Sequence, residues 1–87
     1  MFYVYVLVSM KDGHGYIGST PNLKRRLSEH LMGKVTSTSP RRPLKLVYYE
    51  AYGDEQDARQ REAKLKLKSR AYEQLRKRIV RSLKITP

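Results

Sequence analysis

The first run of residues constrains the fold of this chain most. Residues 2–9 read Phe-Tyr-Val-Tyr-Val-Leu-Val-Ser, and this β-branched and aromatic composition favours an extended strand. A polar turn at residues 11–13 and a second short run at residues 14–18 follow, so we expect a β-hairpin. Because successive side chains of a strand point to opposite faces, the hairpin is expected to present Tyr5 and Tyr16 on one shared face.

The rest of the chain predicts three helices and one more strand. Thr20 followed by Pro21 is typical of a helix start, and Gly33 of a helix end just after Met32. Leucines recur every four residues in this first helix, and its expected buried stripe is Leu23, Leu27 and Leu31. The later elements are a basic loop at 34–43, a strand at 44–51, a helix at about 55–68 and a helix at about 70–83, capped by Ser69. The stripe of the last helix is Tyr72, Leu75, Ile79 and Leu83.

These elements predict a mixed α/β (α+β) fold. The order is β-β-α-β-α-α, in which a small central three-stranded antiparallel sheet is flanked by helices. A length of 87 residues points to one domain with one modest core. We expect this domain to occupy residues 1–84 and residues 85–87 to form a frayed tail.

The chain is strongly basic. Lysine and arginine number 19 against 8 aspartates and glutamates, which gives a formal net charge of +11. Such a surface favours a polyanionic partner, and nucleic acid is the commonest one in the cytoplasm. Charge alone separates neither DNA from RNA nor binding from cleavage, and it is also typical of a merely soluble surface.

Other classes of protein are excluded by simple features. The chain has no cysteine, which excludes a disulfide framework and a cysteine metal site and fits a reducing cytoplasm. The first apolar run lacks a basic start and is followed by Lys11 and Asp12. It therefore predicts neither a signal peptide nor a membrane-spanning helix, and we expect no membrane partner.

Glu62 is the first candidate for chemistry. It shares one face of the second helix with Ala58 and Leu65, and an unpaired carboxylate is costly on an inward face. An ordinary ion pair is one explanation, for which the nearby cations are Arg59, Arg61 and Lys66. A metal ion is the other. A single carboxylate suits Mg²⁺, which keeps most of its waters and takes substrate phosphate oxygens as ligands.

Arg26 and His30 lie four residues apart and therefore on the same side of the first helix. Arg26 is either a solvated charge or a bidentate donor to phosphate oxygens. His30 falls close to the leucine stripe, so it is either a core residue bonded to a nearby carbonyl or a group that relays a proton or holds a tyrosine hydroxyl. Together the pair suits phosphoryl chemistry.

The shared face of the hairpin supplies the remaining candidates. Strand parity puts Tyr5 and Tyr16 on one shared face. This distinguishes them from the other tyrosines of the later elements, which are expected to pack in the ordinary way: Tyr48, Tyr49 and Tyr72. A phenol is a weak base at neutral pH, so a role in taking a proton from water stays a hypothesis. Gly18 either marks a simple turn or lets the backbone and a ligand phosphate come close.

At these residues the chain resembles the GIY-YIG nuclease family, in particular its short free-standing bacterial members. The first family motif stands at residues 3–5 as Tyr-Val-Tyr, with tyrosine in place of the family's glycine. The second stands unaltered at residues 16–18 as Tyr-Ile-Gly. Residues 18–30 match the family's helix signature, and residues 58–62 match the segment with its metal-binding glutamate. The ordered set spans nearly the whole domain.

The resemblance implies a compact α/β domain that hydrolyses DNA phosphodiester bonds with one divalent metal ion, Mg²⁺ or Mn²⁺. Carried over to this chain, Glu62 would bind the metal and Tyr16 would help to activate the attacking water. Arg26 would stabilise the pentacovalent phosphate. Tyr5 and His30 would position water, Tyr16 or phosphate.

Gly18 would keep the pocket open.

Two departures from the family pattern affect the choice of substrate. Many family enzymes carry an added DNA-binding domain, which we do not find here, so contacts to nucleic acid are expected from the domain's own surface. The candidates are Lys34, Arg41, Arg42, Arg76, Lys77, Arg78 and Arg81. Some members also use an asparagine after the glutamate, and the only asparagine here is Asn22.

The sequence therefore predicts a metal-dependent endonuclease that selects DNA by structure, with a place in repair or recombination. One alternative is a non-catalytic module that binds DNA or structured RNA. Another is a subunit that docks on a larger repair complex, for which a protein partner would supply targeting.

Overall fold

The computed structural model of the protein describes residues 1–67 and 70–84. The strands are β1, Phe2–Ser9, β2, Gly15–Thr20, and β3, Leu44–Tyr52. The helices are α1, Leu23–Leu31, α2, Glu55–Lys66, and α3, Arg70–Arg78. The three strands form one antiparallel sheet, so the predicted β-β-α-β-α-α architecture is confirmed. None of these helices is long and apolar enough to cross a membrane in the part of the chain described.

β1 is the central strand of the sheet. The strand order is β2-β1-β3, and β1 runs antiparallel to both neighbours. Tyr5 of β1 lies opposite Gly18 of β2, and Leu7 lies opposite Tyr16. Residues directly opposite each other, and residues two apart in one strand, point to the same side of a sheet. The register therefore confirms that Tyr5 and Tyr16 share one face.

One side of the sheet, the valine face, carries Val4 and Val6. Both are buried against Ala58 and Leu65 of α2 and against Leu75 of α3. This cluster confirms the predicted apolar stripe of α2. Each large side chain that is fully buried in it contributes roughly 1.5–3 kcal/mol relative to an exposed one.

The other side, the tyrosine face, carries Tyr5 and Leu7. Both are buried, and Leu23 and Leu27 of α1 pack against them. Helices therefore cover both faces of β1, and residues 4–9 are all buried. The tyrosine face holds a second core as well as polar groups.

The boundary between β2 and α1 differs from the prediction. β2 extends to Thr20, which pairs with Tyr3, so Thr20 ends a strand and does not cap a helix. The N-cap is Asn22, whose Oδ1 accepts a hydrogen bond of 3.0 Å from the backbone N–H of Arg25. The predicted Thr20 cap was wrong because this asparagine, two residues later, satisfies the free N–H group at the helix start.

The end of α1 confirms one prediction and corrects another. Gly33 adopts a φ of 78° just after the helix, as a helix-ending glycine does. Leu31, however, is 48% exposed, so its predicted place in the buried stripe is wrong. Each step of four residues turns about 40° beyond a full turn of the helix, so the third leucine rotates away from the sheet. His30 takes the inward position and is only 4% exposed.

The C-terminal helix is shorter than predicted. α3 ends at Arg78, and residues 79–83 form turns. Like charges three and four residues apart repel on a helix, and the run at 76–78 together with Arg81 places several in this segment. The stripe is confirmed at Tyr72, Leu75 and Ile79, which join the core on the valine face. The predicted Ser69 cap, the end of the second helix at Lys68 and the frayed tail at 85–87 lie outside the described residues.

β3 contains a bulge that explains its irregular alternation. Val6 pairs with Tyr48, but the next residue, Leu7, pairs with Leu46. Val47 is therefore an extra residue, which lets neighbouring side chains of β3 depart from strict alternation with the rest of the sheet. Tyr49, two residues beyond the extra residue, is 53% exposed, so the prediction that it packs in the ordinary way is wrong.

A polar cluster ties β3 to α2. The carboxylate of Glu50 accepts hydrogen bonds of 3.0 Å from Nε and from Nη2 of Arg61. The hydroxyls of Tyr48 and Tyr52 also donate to Glu50. Burial opposes ionisation of Glu50, but Arg61 and the two tyrosines outweigh it and lower the pKa of the carboxyl. Burial and the Glu50 charge raise the pKa of Tyr52 to about 12.

We predict that Glu50→Gln lowers the free energy of unfolding by about 1–3 kcal/mol, because hydrogen bonds to a charged group are lost and Arg61 keeps a charge without its partner. Urea denaturation measures the change. Glu55→Gln is the matched control, since the Glu55–Arg59 pair is largely exposed and its loss should change stability by less than about 0.5 kcal/mol. Equal losses in the two variants would contradict a structural role for the cluster.

Candidate active site

Six residues predicted from the sequence line one cleft of about 210 Å³ at the β2 edge of the sheet. They are Tyr5, Tyr16, Gly18, Arg26, His30 and Glu62. The two tyrosines come from the hairpin, Arg26 and His30 from α1, and Glu62 from α2. Because β2 is an edge strand, side chains from helices on opposite faces of the sheet can meet beside it. The loop after α1 completes the wall with Val35, Ser37 and Thr38.

A buried chain of hydrogen bonds forms the floor of the cleft. The Tyr5 hydroxyl bonds to Nε2 of His30 over 2.9 Å, and Nδ1 of His30 bonds to Oγ1 of Thr38 over 2.8 Å. All three residues are buried. Both ring nitrogens are therefore satisfied, and the chain links β1, α1 and the loop. The structure agrees in part with both interpretations of His30, because His30 is a buried core residue and also holds the hydroxyl of Tyr5.

Burial controls the charge states of His30 and Tyr5 in this hydrogen-bonded series. Burial, and then the nearby charge of Arg26, lower the pKa of His30, so the imidazole is neutral at neutral pH. Burial also raises the pKa of Tyr5, against the opposing effect of Arg26, so its phenol stays protonated. A neutral imidazole has one donor and one acceptor nitrogen, and a hydroxyl on each side satisfies both.

Arg26 is the cation at the mouth of the cleft. Its Nη1 donates a hydrogen bond of 3.0 Å to Oε1 of Glu29, and its side chain is 41% exposed. Glu29, and then the Tyr5 hydroxyl, raise the pKa of the guanidinium, which is positive at any physiological pH. A half-exposed guanidinium with one carboxylate partner keeps donors free for an incoming anion.

Glu62 is held in an ion pair. Its Oε1 accepts a hydrogen bond of 2.8 Å from Oγ of Ser19, and its Oε2 lies 2.8 Å from Nζ of Lys66. Burial opposes ionisation, but the hydrogen bonds from Lys66 and Ser19 and the charges of Lys66 and Arg59 together lower the pKa of the carboxyl. The ion-pair explanation is therefore realised, with Lys66 as the cation.

The donor set limits which metal ion could bind here. Within residues 1–67 and 70–84, no three histidine, cysteine, aspartate or glutamate side chains group closely enough to form a metal cage. Among the described residues that line the cleft, Glu62 is the only carboxylate. One anionic oxygen donor beside an arginine fits a Mg²⁺ or Mn²⁺ ion that keeps waters and shares substrate oxygens, and it does not fit a zinc site.

Gly18 is required by its neighbour. A Cβ atom added at Gly18 would overlap the hydroxyl of Tyr5 and lie 2.6 Å from its Cζ. The strand continues through Gly18 to Thr20, so this glycine marks neither a turn nor a strand end. The Tyr5 ring therefore crosses the backbone of β2 at a position that has no side chain.

The basic residues predicted to bind nucleic acid lie elsewhere. None of the seven lines the cleft as the described residues form it. Arg41 pairs with Asp12 over 2.5 Å, and Arg42 covers Gly33 and donates to the Ser39 carbonyl. Arg76 sits 5.9 Å above the ring of Tyr72. Lys34, Lys77, Arg78 and Arg81 are exposed.

Three residues of the site escaped prediction from the sequence. Ser19 and Thr38 bond directly to Glu62 and His30, and Glu29 pairs with Arg26. Spacing along α1 could have found Glu29, which lies three residues from Arg26. No local pattern marks Ser19 or Thr38, because their partners are far away in the chain. Asn22, the only asparagine, caps α1 and does not line the cleft.

The fold and the cleft agree with a known class of protein. The family model of the GIY-YIG catalytic domain matches residues 1–77 of this chain. The chain therefore belongs to the GIY-YIG family, a superfamily of nucleases, and the resemblance read from its motifs is confirmed. A nuclease domain implies a nucleic-acid substrate.

Relatives of this chain include UPF0213 proteins of bacteria. UPF0213 protein SAG0778 of Streptococcus agalactiae is 45% identical over 69 residues, which cover 78% of this chain and 77% of the relative. A UPF0213 protein of Lactiplantibacillus plantarum is 42% identical over 73 residues, or 80% of this chain and 71% of the relative. UPF0213 protein SH2523 of Staphylococcus haemolyticus is 41% identical over 69 residues, or 78% and 83%. No solved structure matches the chain significantly.

We predict that Gly18→Ala lowers the free energy of unfolding by about 1–3 kcal/mol, because the new methyl group displaces the Tyr5 ring and strains its bond to His30. Gly53→Ala is the control, since nothing lies within 4 Å of a Cβ at that position. It should leave stability unchanged or raise it by up to about 1 kcal/mol. Thermal and urea unfolding of both variants measure the difference, and a harmless Gly18→Ala would contradict the close approach.

The lowered pKa of His30 predicts a dependence of stability on pH. The unfolded chain takes up a proton near the ordinary histidine pKa of about 6.5, whereas the folded chain does so only at lower pH. The stabilising contribution is therefore complete above about pH 6.5 and is lost as the pH falls through the folded value. We expect urea midpoints to fall less between about pH 7 and pH 5 in His30→Gln than in the wild type. His14→Gln, an exposed control, should keep the wild-type slope.

Proposed function

We propose that this protein is a metal-dependent endonuclease that hydrolyses DNA phosphodiester bonds and selects its substrate by structure. The observation that supports this most is the convergence of Tyr16, Arg26 and Glu62 in one cleft from three separate elements. A cation, a carboxylate and a hydroxyl around one cavity match the needs of phosphoryl transfer, which depends on positioning and on stabilising negative charge.

Arg26 is the group that receives the scissile phosphate. Its exposed guanidinium offers a bidentate fork to two phosphate oxygens and remains in place as negative charge builds on them. Glu29 accepts a hydrogen bond from the guanidinium and thereby holds it in place. Arg26 therefore needs little rearrangement when the substrate arrives.

Glu62 would hold the divalent ion. When bound, that ion supplies a Lewis acid for a phosphate oxygen and lowers the pKa of a water molecule. Lys66 covers one oxygen of Glu62, but its side chain is 56% exposed and can turn outward. A released Lys66 ammonium would lie beside an incoming phosphate.

The tyrosines act on the water and the phosphate in this proposal. Tyr16 lies in the cleft wall and helps to activate the attacking water. The neutral imidazole of His30 fixes the orientation of the Tyr5 hydroxyl, which presents a donor or acceptor to the cleft without changing charge. His30 is in this account a positioning residue.

The cleft itself supports selection by structure rather than by sequence. Its charged lining groups, Arg26, Lys66 and Glu62, suit contacts to phosphate, which carry no base identity. The separate basic surfaces of the loop and of α3 extend the phosphate contacts beyond the cleft. We further propose that the protein acts in DNA repair or recombination in the cytoplasm, with a protein partner for targeting.

One observation favours a second candidate function. Both oxygens of Glu62 are occupied by Ser19 and Lys66, so the cleft as it stands presents a neutralised carboxylate. A module that binds DNA or structured RNA without cleaving it has the same appearance. The two functions differ in whether a divalent ion displaces Lys66.

A cleavage assay at low salt separates the two functions. The substrates are labelled single-stranded, duplex, flap and four-way-junction DNA and structured RNA, each with Mg²⁺, Mn²⁺ or a chelator. We expect metal-dependent cuts, and we expect Glu62→Gln to slow them by at least about 100-fold. Binding should stay equal or tighten, because a charge that repels phosphate is lost. Tyr16→Phe should lower turnover with little change in affinity.

Asp57→Asn is the matched control, since Asp57 is an exposed carboxylate on the same helix and lies outside the lining of the cleft. It should cleave at the wild-type rate. Equal rates for wild type and Glu62→Gln would overturn the site. Binding without cuts under every condition would favour the non-catalytic module.

A further inference from the structure

Two tyrosines outside the candidate cleft form a partly exposed aromatic pair. The rings of Tyr3 and Tyr49 lie 6.0 Å apart, centre to centre, at an interplanar angle of 62°. In an edge-to-face pair of this kind, ring faces remain free to stack with a further aromatic group. A ring such as Tyr49, which is 53% exposed, is a large apolar surface left in water. Neither ring belongs to the chemistry proposed for the cleft.

From this pair we infer a binding site for an unpaired nucleobase, which stacks on Tyr3 and Tyr49 while the neighbouring phosphate occupies the candidate cleft. The inference rests on the proposed function and names the part of the substrate that the protein reads. Aromatic side chains bind unpaired bases in this way because every base has a π-face.

The groove beside the rings has the size and chemistry for this ligand. It encloses about 440 Å³, which lies within the usual range of small-ligand sites of about 300–1,000 Å³. Leucines at positions 23, 27 and 46 supply its apolar wall. Lys24 is its one charged lining residue among those described, and no carboxylate lines it. Aromatic rings beside a cation complement a base joined to a phosphate, whereas a purely apolar partner would leave Lys24 desolvated.

A third hollow adjoins both the tyrosine groove and the candidate cleft. Its volume is about 260 Å³. It shares Ser19 and Glu62 with the cleft and Pro21 with the tyrosine groove. In this inference, a single strand runs from Glu62 past Pro21 to the aromatic rings.

The register of the sheet sets the distance between the two sites. Tyr3 lies two residues before Tyr5 on β1, and Tyr49 lies opposite Tyr5 on β3. Two residues of a strand span about 7 Å, so the rings lie beside the Tyr5 end of the cleft. A base stacked there belongs to a nucleotide close to the scissile bond.

Stacking of this kind requires an unpaired base, so it gives the protein a preference for single-stranded segments. We expect Tyr49→Ala to weaken binding of single-stranded DNA by about 5-fold or more and to leave duplex binding unchanged. Tyr49→Phe should bind as the wild type does, since the ring is retained. Leu31→Ala is the control, because Leu31 is similarly exposed but lies outside the groove lining.

The experiment measures fluorescence anisotropy of the full chain with a labelled single-stranded DNA, the same strand annealed to its complement and a single-stranded RNA, all with a chelator present. 2-Aminopurine placed at successive positions of the DNA reports stacking by loss of its fluorescence. We expect quenching at one position in the wild type and in Tyr49→Phe, and its disappearance in Tyr49→Ala. Because no cleavage is needed, the result stands even where the cleavage assay finds no activity.

Three outcomes would overturn the inference. Unchanged affinity of Tyr49→Ala for single strands would show that no base stacks there. Equal losses for single strands and duplex would show a general contribution to binding. Dissociation of a dimer by Tyr49→Ala in sedimentation, with unchanged single-strand binding, would show that a second copy of the chain covers the groove.

Discussion

Burial of β1 on both faces is the constraint on which the rest of the structure depends. The strand is paired along both edges and covered by helices on both sides, so residues 4–9 are buried. An apolar strand tolerates this, but Tyr5 brings a hydroxyl into the interior. A buried hydroxyl without a partner costs a few kcal/mol. His30 and Thr38 supply that partner chain, and their bonds fix α1 and the following loop against the sheet.

The same constraint gathers the charged groups at one edge. With the faces of β1 closed, the remaining access is beside β2, where Gly18 leaves room for the Tyr5 ring. On the opposite edge, the Glu50–Arg61 cluster anchors α2 to β3. Glu62 follows Arg61 directly, so this anchor also sets the direction in which Glu62 reaches around the sheet. The Glu50–Arg61 ion pair at one edge of the sheet thereby helps to position Glu62 at the other edge.

The candidate site combines a rigid interior with a changeable surface. The bonds among Tyr5, His30 and Thr38 are buried, and their charge states are fixed by burial. Arg26 and Lys66, in contrast, are partly exposed, and a metal ion can take the place of Lys66 beside Glu62. This division suits phosphoryl transfer, in which the protein keeps its positioning groups still while ions and phosphate exchange at the entrance.

The sequence by itself determined the elements, the antiparallel sheet and the candidate site residues, because strand parity and helix spacing are local and because the ordered motifs span the domain. It placed Tyr5 and Tyr16 on one face, and it placed Glu62 beside Lys66. Only the tertiary structure decided which groups form hydrogen bonds with these site residues. Ser19, Thr38 and the bulge at Val47 depend on contacts between residues far apart in the chain. Leu31 is exposed and His30 is buried because a helix turns every 3.6 residues and the sheet beneath it selects which side is buried.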